Sequence, residues 1–411
     1  MLSSRIHRYL ALISIFLVTV ASIAGMAGCG SLPVKHYLVI VSSEGGNVTL
    51  PGEGAFLHDE GTVINLVAKA EEGCHFVSWT GNVSTIANVQ AATTTITMNG
   101  NYLVFAIFGA EIRDWYDLDS IRGNLVGNHT LMNNLDSTTP GYEELAGPTA
   151  NGGKGWQPIG TWSLSAFNGS FDGQGHEIRD LYINRPNESP VGLFGFTGEG
   201  GVVKDIGLVN ATVSGYYYVG GLVGFSNGVI TDSYTTGNVS SIVGMIGGLV
   251  GKNTDTVSNS YSTAGVNGVV NVGSLVGDNW GGTVTRSYAT GSAIGFSCVG
   301  GLVAYSNRGT VSDSYSTGSV TGHEQVGGLV GRGEEHTVSN SFWDTDTSGQ
   351  STSAGGTGTT TTEMKDISTF SGVFWDIVAV DNSSARNPAY IWNTVDDETY
   401  PFLSWQPVWS S

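Results

Sequence analysis

Between residues 186 and 343, the apolar positions of the chain recur at a fixed spacing, with a period of about 27 residues, which lies in the range of known structural repeats. Aromatic residues follow a serine in DSYTTG, NSYSTA, RSYATG, DSYSTG and NSFWDT, always at the same spacing, at Tyr234, Tyr261, Tyr288, Tyr315 and Phe342. Leucines of GLVG-like segments form a second row at nearly the same spacing, at Leu193, Leu222, Leu249, Leu275, Leu302 and Leu329. A third row lies four positions before each aromatic residue, at Ile230, Val257, Val284, Val311 and Val338. Rows that keep this register over five units indicate a structural repeat.

Each unit is too short and too rich in glycine to bury an apolar face alone, so the units must stack on one another. Strand-forming residues with a turn every six to ten positions predict one coil of a parallel β-helix per unit, with a rise of about 4.8 Å. We expect the Leu and Val of GLVG to line the interior and the tyrosines to stack from coil to coil. The glycines should lie at corners or at close backbone approaches.

Residues 36–109 predict a small β domain that precedes the repeats. HYLVIVSS, GTVINLVAKA, HFVSWTG, TTTITM and NYLVFAIF are short alternating or continuously apolar segments, which is typical of strands. Phe76 and Trp79 have two interpretations, stacking on a ligand or forming the core. We favour the core, because so small a module needs large aromatic residues. The fold class predicted for the chain is therefore all-β, a small β domain followed by a parallel β-helix (β-solenoid).

Residues 1–28 have the layout of an export signal. Arg5 and Arg8 precede an apolar run from residue 9 to about residue 24, which Gly-Met-Ala-Gly-Cys follows. This ending resembles a bacterial lipobox, which implies lipid attachment at Cys29. An ordinary secretory signal and an uncleaved N-terminal helix are the alternatives, since the run is near the length that spans a bilayer. We expect an exported protein, lipid-anchored to the outer face of a membrane or the cell surface, or otherwise secreted.

The small β domain resembles the divergent internalin B-type repeat of bacterial surface proteins. The residues that carry this resemblance are Gly45-Gly46, Pro51-Gly52, Phe76, Trp79 and the closing segment 101–108. The resemblance implies the same small β fold for residues 36–109.

The repeats resemble the GLUG motif, and their flanks strengthen the resemblance. GWQPIG and FNGSFDGQGHEIRDLYINR upstream look like the lead-in segment of GLUG proteins, and SFWDTDTSGQSTSAGGTG, TEMKD and YPFLSWQP downstream look like the closing segment. The resemblance implies a surface or secreted protein with a β-helical body, without one settled activity. The expected parts are a lead-in and N-terminal cap at 111–185, GLUG coils at 186–343, and a closing segment and C-terminal cap at 344–411.

Charge excludes some partners. The chain has a net charge of −19, and removal of Arg5 and Arg8 with the signal would make it −21. Nucleic acid is not an expected partner, because phosphate binding needs basic patches. No nucleotide is expected either, since Gly251-Lys252 lacks the first glycine and the hydroxyl residue that complete a P-loop.

Cys74 and Cys298 fall in different parts of the chain and imply no disulfide framework.

The sequence contains no residues to which we assign a catalytic role. FDGQGHEIRD contains Asp172, His176, Glu177 and Asp180, yet its Asp-Gly and second glycine are what a turn requires. The residues two positions before each aromatic residue vary among polar types and indicate a solvated ladder: Asp232, Asn259, Arg286, Asp313 and Asn340. There is no Ser/His/Asp arrangement and no H-E-x-x-H motif. We therefore expect no enzymatic activity.

One metal site is a candidate. DTDTSG offers oxygen ligands at alternate positions, at Asp344, Asp346 and Ser348, with Gly349 at the sixth position, as in the first half of a calcium loop. The twelfth position holds Gly355 instead of the bidentate Glu. The alternative is a polar turn that leaves the last coil. Ca²⁺ is the one cofactor considered, and none is expected otherwise.

Tryptophans cluster on both sides of the repeats. Trp115, Trp156 and Trp162 precede the coils, and Trp375, Trp392, Trp405 and Trp409 follow them. Because the ends of a solenoid expose apolar faces, we expect most of these residues in caps. One or two could also stack on sugar rings.

The leading hypothesis is non-catalytic binding or adhesion at the cell surface, with an extracellular glycan or protein as ligand. The runner-up is a carbohydrate-active β-helix enzyme, a polysaccharide lyase or hydrolase. A structural spacer of the cell envelope is the third.

Overall fold

The computed structural model describes residues 34–162 and 165–408. The chain divides between Glu111 and Ile112 into two compact units, which are described one at a time. Cys29, the expected site of lipid attachment, and Trp409, one of the expected cap residues, lie outside the described residues.

The described part of the first unit contains seven strands: Lys35–Ser42, Gly46–Leu50, Gly54–Asp59, Val63–Ala70, Cys74–Gly81, Thr93–Thr97 and Tyr102–Ile112. Lys35–Ser42 pairs antiparallel with Gly54–Asp59 and parallel with Tyr102–Ile112. Trp79 is 1% exposed in the core, and its ring lies 5.4 Å from that of Phe76. Both aromatic residues therefore belong to the interior of this unit, in agreement with the core interpretation.

The second unit is a solenoid whose coils cross three parallel sheets. In the coil that starts at Leu222, the chain runs through Val223–Ser226, Val229–Thr231 and Tyr234–Gly247, in what we call the leucine, valine and tyrosine sheets. The coil then repeats, so that each strand pairs with its equivalent in the next coil. The fold is the predicted β-solenoid, with one repeat unit of the sequence in each coil.

The strands of each sheet follow the coils in order. The leucine sheet comprises Phe194–Thr197, Val223–Ser226, Val250–Asn253, Val276–Trp280, Val303–Asn307 and Val330–Glu334. The valine sheet comprises Asn128–Leu131, Ser170–Asp172, Val202–Lys204, Val229–Thr231, Thr256–Ser258, Thr283–Thr285, Thr310–Ser312 and Thr337–Ser339. The tyrosine sheet comprises Glu177–Arg179, Tyr182–Arg185, Gly207–Gly220, Tyr234–Gly247, Tyr261–Ser262, Gly265–Asn267, Val270–Gly273, Tyr288–Ala289, Ala293–Ile294, Ser297–Gly300, Tyr315–Ser316, Val320–Thr321, Glu324–Gly327, Phe342–Asp344 and Thr357–Thr359.

The described residues of this unit also form short helices and a small separate sheet. The helical segments are Trp115–Ser120, Ile121–Gly123, Tyr142–Ala146, Ala150–Gly153, Thr345–Ser348, Glu363–Lys365 and Ile367–Ser371. Ile377–Ala379, Trp392–Thr394 and Phe402–Leu403 form a separate three-stranded sheet.

The leucine and valine rows form the interior that the repeat predicts. Leu222, Leu249 and Leu275 are fully buried, and Ile230 pairs in register with Val257. A glycine two residues before the leucine of the GLVG segment makes a tight corner possible. A Cβ added at Gly247, two residues before Leu249, would lie 2.1 Å from the carbonyl oxygen of Val250. These glycines are needed for close backbone approach.

The tyrosine row stacks outside the coils. The ring centroids of successive tyrosines are 4.8, 4.8 and 5.0 Å apart, with the rings within 6° of parallel. Side chains alternate along a strand, so the buried residue after each tyrosine faces the interior in its place: Thr235, Ser262, Ala289 and Ser316. The sequence predicts the stacking of the tyrosines but not the side of the coil on which they stack.

The segment after residue 343 covers both the last coil and the tyrosine row. Across the last coil, Gly328 N–H donates to Thr352 and Ala354 N–H donates to Val330. The chain then returns along the outward tyrosines, where Phe370 packs on Phe342, Trp392 on Tyr315 and Tyr288, and Trp405 on Tyr261 and Tyr234. Trp375 and Trp392 thus cover the side of the solenoid, because the tyrosine row is an apolar face that needs burial.

Asp344 anchors this returning segment. Its Oδ1 accepts hydrogen bonds from the N–H groups of Asp346 and Thr347, at 2.8 and 3.1 Å. Its Oδ2 accepts from the hydroxyls of Thr361 and Tyr400, at 2.7 and 2.6 Å. Burial, and then the hydrogen bond to Asp344, raise the pKa of Tyr400 to about 12, so the phenol stays a donor at neutral pH.

Coils begin upstream of residue 186. Ser170–Asp172 pairs with Val202–Lys204, and Tyr182–Arg185 pairs with Gly207–Gly220. Part of the segment predicted as lead-in therefore forms a coil without a GLVG sequence. Trp115 and Trp156, both fully buried, belong to the same continuous core as the coils.

We predict different effects on stability for two tyrosine-to-phenylalanine substitutions. Tyr315→Phe should cost about 1 kcal/mol, because the Tyr315 hydroxyl donates to the buried carbonyl of Pro401 at 2.5 Å. Tyr261→Phe should be neutral or stabilising, because the buried Tyr261 hydroxyl has no hydrogen-bond partner in the part of the chain that the structure describes. Midpoints of urea unfolding measure both, and an equal loss in the two variants would contradict the assignment.

Asp344→Ala should release the returning segment, because it removes the acceptor of four hydrogen bonds. Limited proteolysis between residues 345 and 405 should then be faster than in the wild type. Asp346→Ala is the matched control, since the Asp346 carboxylate accepts one hydrogen bond, from Thr361 N–H, and should change the pattern less. If EDTA made the wild type behave like Asp344→Ala, a bound cation would hold this loop instead.

Candidate binding cleft

Residues in the left-handed conformation form the corner between the valine and tyrosine sheets. They are Asp205, Asp232, Asn259, Arg286, Asp313 and Asn340, with φ between 46° and 53°. Asp and Asn adopt this conformation more readily than most residues. The side chains join neighbouring coils, as in the contact of 3.3 Å between Asn259 Nδ2 and Asp232 Oδ1. The predicted polar ladder is therefore a row of corner residues.

In the first coils this corner borders a cleft of about 360 Å³. The residues that define it, which we call the acidic cleft, are Asp172, Lys204, Asp205, Asp232, Tyr234 and Trp405. The tyrosine row explains its position, because Gly207 stands in register with Tyr234. The ladder of rings ends there: the Tyr234 ring packs directly over Gly207, where an added Cβ would lie 2.4 Å from the ring, and in the described part of the chain no further ring covers the corner beside it.

Lys204 links two carboxylates of the acidic cleft. Its Nζ lies 2.6 Å from Asp172 Oδ2 and 3.1 Å from Asp205 Oδ2. Burial alone would lower the pKa of Lys204. The hydrogen bonds to Asp172 and Asp205 outweigh this effect, so the pKa of Lys204 is raised. Lys204 therefore stays charged and neutralises part of the negative potential of the cleft.

The carboxyl group of Asp205, in the acidic cleft, has a raised pKa. Burial raises its pKa above the usual value, and repulsion from Asp172 and Asp232 adds to the rise, while Lys204 opposes it. Perturbed carboxyl groups in clefts are typical of binding and catalytic sites.

Aromatic side chains form the opposite wall. The Tyr234 hydroxyl donates to Glu177, which pairs with Arg179. Burial raises the pKa of Tyr234, and the hydrogen bond to Glu177 adds to it. The Trp405 ring centroid lies 6.3 Å from that of Tyr234, so a residue of the closing segment completes the wall.

The structure separates the acidic residues of FDGQGHEIRD. Asp172 Oδ1 accepts from Gln174 N–H at 2.9 Å, and His176 N–H donates to Gly173, which is the expected turn. Asp172 also lines the acidic cleft, and Glu177 lies behind Tyr234. Asp180 has a separate environment, where its carboxylate accepts from Asn210 Nδ2 at 2.7 Å.

Sequence reasoning missed Lys204, Asp205 and the role of Trp405. A signal for Asp205 exists, because KDIGLVNA aligns with TDSYTTGN when the corner row is extended one coil upstream. No comparable signal exists for Trp405, which reaches the cleft only through the returning closing segment.

The candidate calcium ligands are engaged in other contacts. Asp344 holds the returning segment, Asp346 accepts from Thr361 N–H at 2.9 Å, and Ser348 Oγ accepts from Gln350 N–H at 3.2 Å. In residues 34–162 and 165–408 no group of three His, Cys, Asp or Glu side chains is placed to hold a metal ion. Calcium binding stays a prediction that these hydrogen bonds do not favour.

None of the helices in the described part of the chain combines the length and the apolar character needed to cross a bilayer.

Two family models match the chain. Residues 37–112 match the divergent InlB B-repeat domain, and residues 215–240 and 297–321 match the GLUG motif. Both resemblances expected from the sequence are thereby confirmed.

Two relatives share part of the repeat region. Halomucin of Haloquadratum walsbyi is 34% identical over 219 residues, which is 50% of this chain and 2% of halomucin. A candidate glycine-rich membrane protein of Evansella cellulosilytica is 37% identical over 118 residues, 28% of this chain and 13% of that protein. The chain thus spans a small fraction of the length of either relative.

The fold is also found in solved structures. A candidate immunoglobulin A1 protease from Bacteroides ovatus superposes with a TM-score of 0.50 at 17% identity, covering 74% of this chain and 93% of that chain. At this identity the likeness concerns the fold alone. The chain therefore contains a divergent InlB B-repeat domain, followed by a β-solenoid that carries GLUG motifs.

Proposed function

We propose that this chain is a repeat protein of the cell surface that binds an extracellular glycan, without converting it, through the acidic cleft. The export-type segment 1–28 and the lipobox-like Cys29 would deliver and anchor it. The relatives described as halomucin and as a glycine-rich membrane protein support a surface location.

The observation that carries the proposal is the pairing of an aromatic wall with hydrogen-bonding groups of both signs in one cleft. Trp405 offers a flat apolar face, the carboxylates of Asp172 and Asp232 accept hydrogen bonds from hydroxyls, and Lys204 donates. A sugar ring presents an apolar face and a rim of hydroxyls, which such a cleft complements. The volume of about 360 Å³ is within the range of small-molecule sites.

The arrangement of charges favours binding over catalysis. Lys204 occupies the space between Asp172 and Asp205 and makes a short contact with each. A carboxylate held in this way has its oxygens occupied by the ammonium group of Lys204 and is not free to act as a nucleophile or a base.

We predict that Asp232→Asn weakens glycan binding about tenfold, because a charged acceptor becomes a neutral one. Asn is the residue at the same corner one coil later, at Asn259, with φ of 46°, so the fold should tolerate it. Asp313→Asn is the matched control at the same corner away from the cleft. A glycan array identifies the ligand, and titration of each variant with it measures the affinity.

The binding proposal fails if Asp313→Asn weakens binding as much as Asp232→Asn does, or if the wild type binds no glycan on the array. In the latter case, absence of both binding and turnover would favour a structural spacer of the envelope.

The second candidate function is a carbohydrate-active enzyme, and the raised pKa of Asp205 is the observation that favours it. A carboxyl group that keeps its proton more readily than usual suits a general acid. Release of reducing ends or of unsaturated products from a polysaccharide panel tests this function. Turnover that is lost in Asp205→Asn but kept in Asp313→Asn would establish the enzyme and overturn the non-catalytic proposal.

A further inference from the structure

The outer face of the leucine sheet carries a second row of side chains in register. From coil to coil the outward residues are Phe196, Phe225, Lys252, Asp278, Tyr305 and Arg332. Lys252 and Asp278 are therefore direct cross-strand neighbours on the same face of the sheet. Because the two coils stack in this register, the side chains of Lys252 and Asp278 lie next to each other.

Aromatic rings enclose the Lys252 side chain, which is 15% exposed. Its Nζ lies 5.8 Å from the ring centroid of Tyr218, 5.5 Å from that of Phe225 and 5.0 Å from that of Trp280. These rings exclude water from most directions around the amine. An amine held in such a site is poorly solvated.

Asp278 is buried deeper than Lys252. The residue is 0% exposed, and among the described residues neither carboxylate oxygen has a hydrogen-bond partner. Lys252 Nζ lies 3.4 Å from Asp278 Oδ2, longer than a charge-assisted hydrogen bond of roughly 2.7 to 2.9 Å. Burial raises the pKa of Asp278, against the attraction of Lys252.

We propose that Lys252 and Asp278 form an isopeptide bond that joins two successive coils covalently. The bond would form between Nζ and Cγ of Asp278, and the distance of 3.4 Å from Nζ to Oδ2 places the amine beside the carboxyl group without an intervening residue, as a near-attack arrangement requires. The class of modification is an intramolecular amide cross-link between a lysine amine and an aspartate carboxyl group.

The reaction balances without a further reactant. One proton moves from the Lys252 ammonium to the Asp278 carboxylate, which gives a neutral amine and a neutral carboxylic acid, and burial raises the pKa of Asp278 and so favours its protonated form. The Nζ lone pair then forms a bond to Cγ of Asp278. The bond from Cγ to one oxygen breaks, and this oxygen leaves as water with its own proton and one proton from the nitrogen.

Burial, and not distance, selects this pair. Lys204 Nζ lies closer to Asp172 Oδ2, at 2.6 Å, but their side chains are 35% and 19% exposed. Asp172 also accepts a hydrogen bond from Gln174 N–H. The Lys204 and Asp172 side chains are therefore solvated and engaged in other polar contacts, and an unreactive ion pair is expected there.

Mass spectrometry of the full chain and of its proteolytic digest tests the proposal. The wild type should be lighter than its sequence mass by one water, about 18 Da. The digest should contain a branched species in which the peptides of Lys252 and Asp278 are joined. Lys252→Arg, which keeps the positive charge but lacks the primary amine, should show the full mass of its sequence and two linear peptides.

Lys204→Arg is the matched control and should keep the loss of one water. Folded wild-type protein with the full sequence mass and linear Lys252 and Asp278 peptides would overturn the proposal. A branched species at Lys204 and Asp172 would overturn the argument that burial selects the pair.

Discussion

The parallel register between neighbouring coils is the constraint on which the second unit depends. Ile230 pairs with Val257 and Val257 with Val284, and the side chains of these residues are fully buried. A slip by one residue would turn an inward row to solvent. A coil of this kind has no core of its own and is stable only against its neighbours, so every surface at which the stacking stops must be covered.

Much of this arrangement can be predicted from the sequence, because spacing alone defines the rows. The constant spacing of the repeats places Tyr261 beside Tyr288, and the rings stack 4.8 Å apart. The side of the coil on which the rings lie cannot be read from the spacing. Tyrosine alternates with Thr235, Ser262, Ala289 or Ser316, and residues so small give no strong indication that they face the interior.

The candidate site was less accessible to sequence reasoning than the fold. The acidic cleft exists because the tyrosine row stops at Gly207 and because the closing segment brings Trp405 back to the first coils. The first cause is local and recognisable once the register is extended upstream. The second is a tertiary contact between distant parts of the chain, and no repeat pattern includes Trp405.

The returning segment has a consequence for how such a chain can change in length. It contacts every ring of the aromatic row in turn, from Phe370 on Phe342 to Trp405 on Tyr234. A coil inserted or deleted between them would shift one end of the row by about 4.8 Å relative to the other. The length of the returning segment therefore matches one particular number of coils. A repeat can be gained or lost only together with a change in the length of the segment that spans the coils.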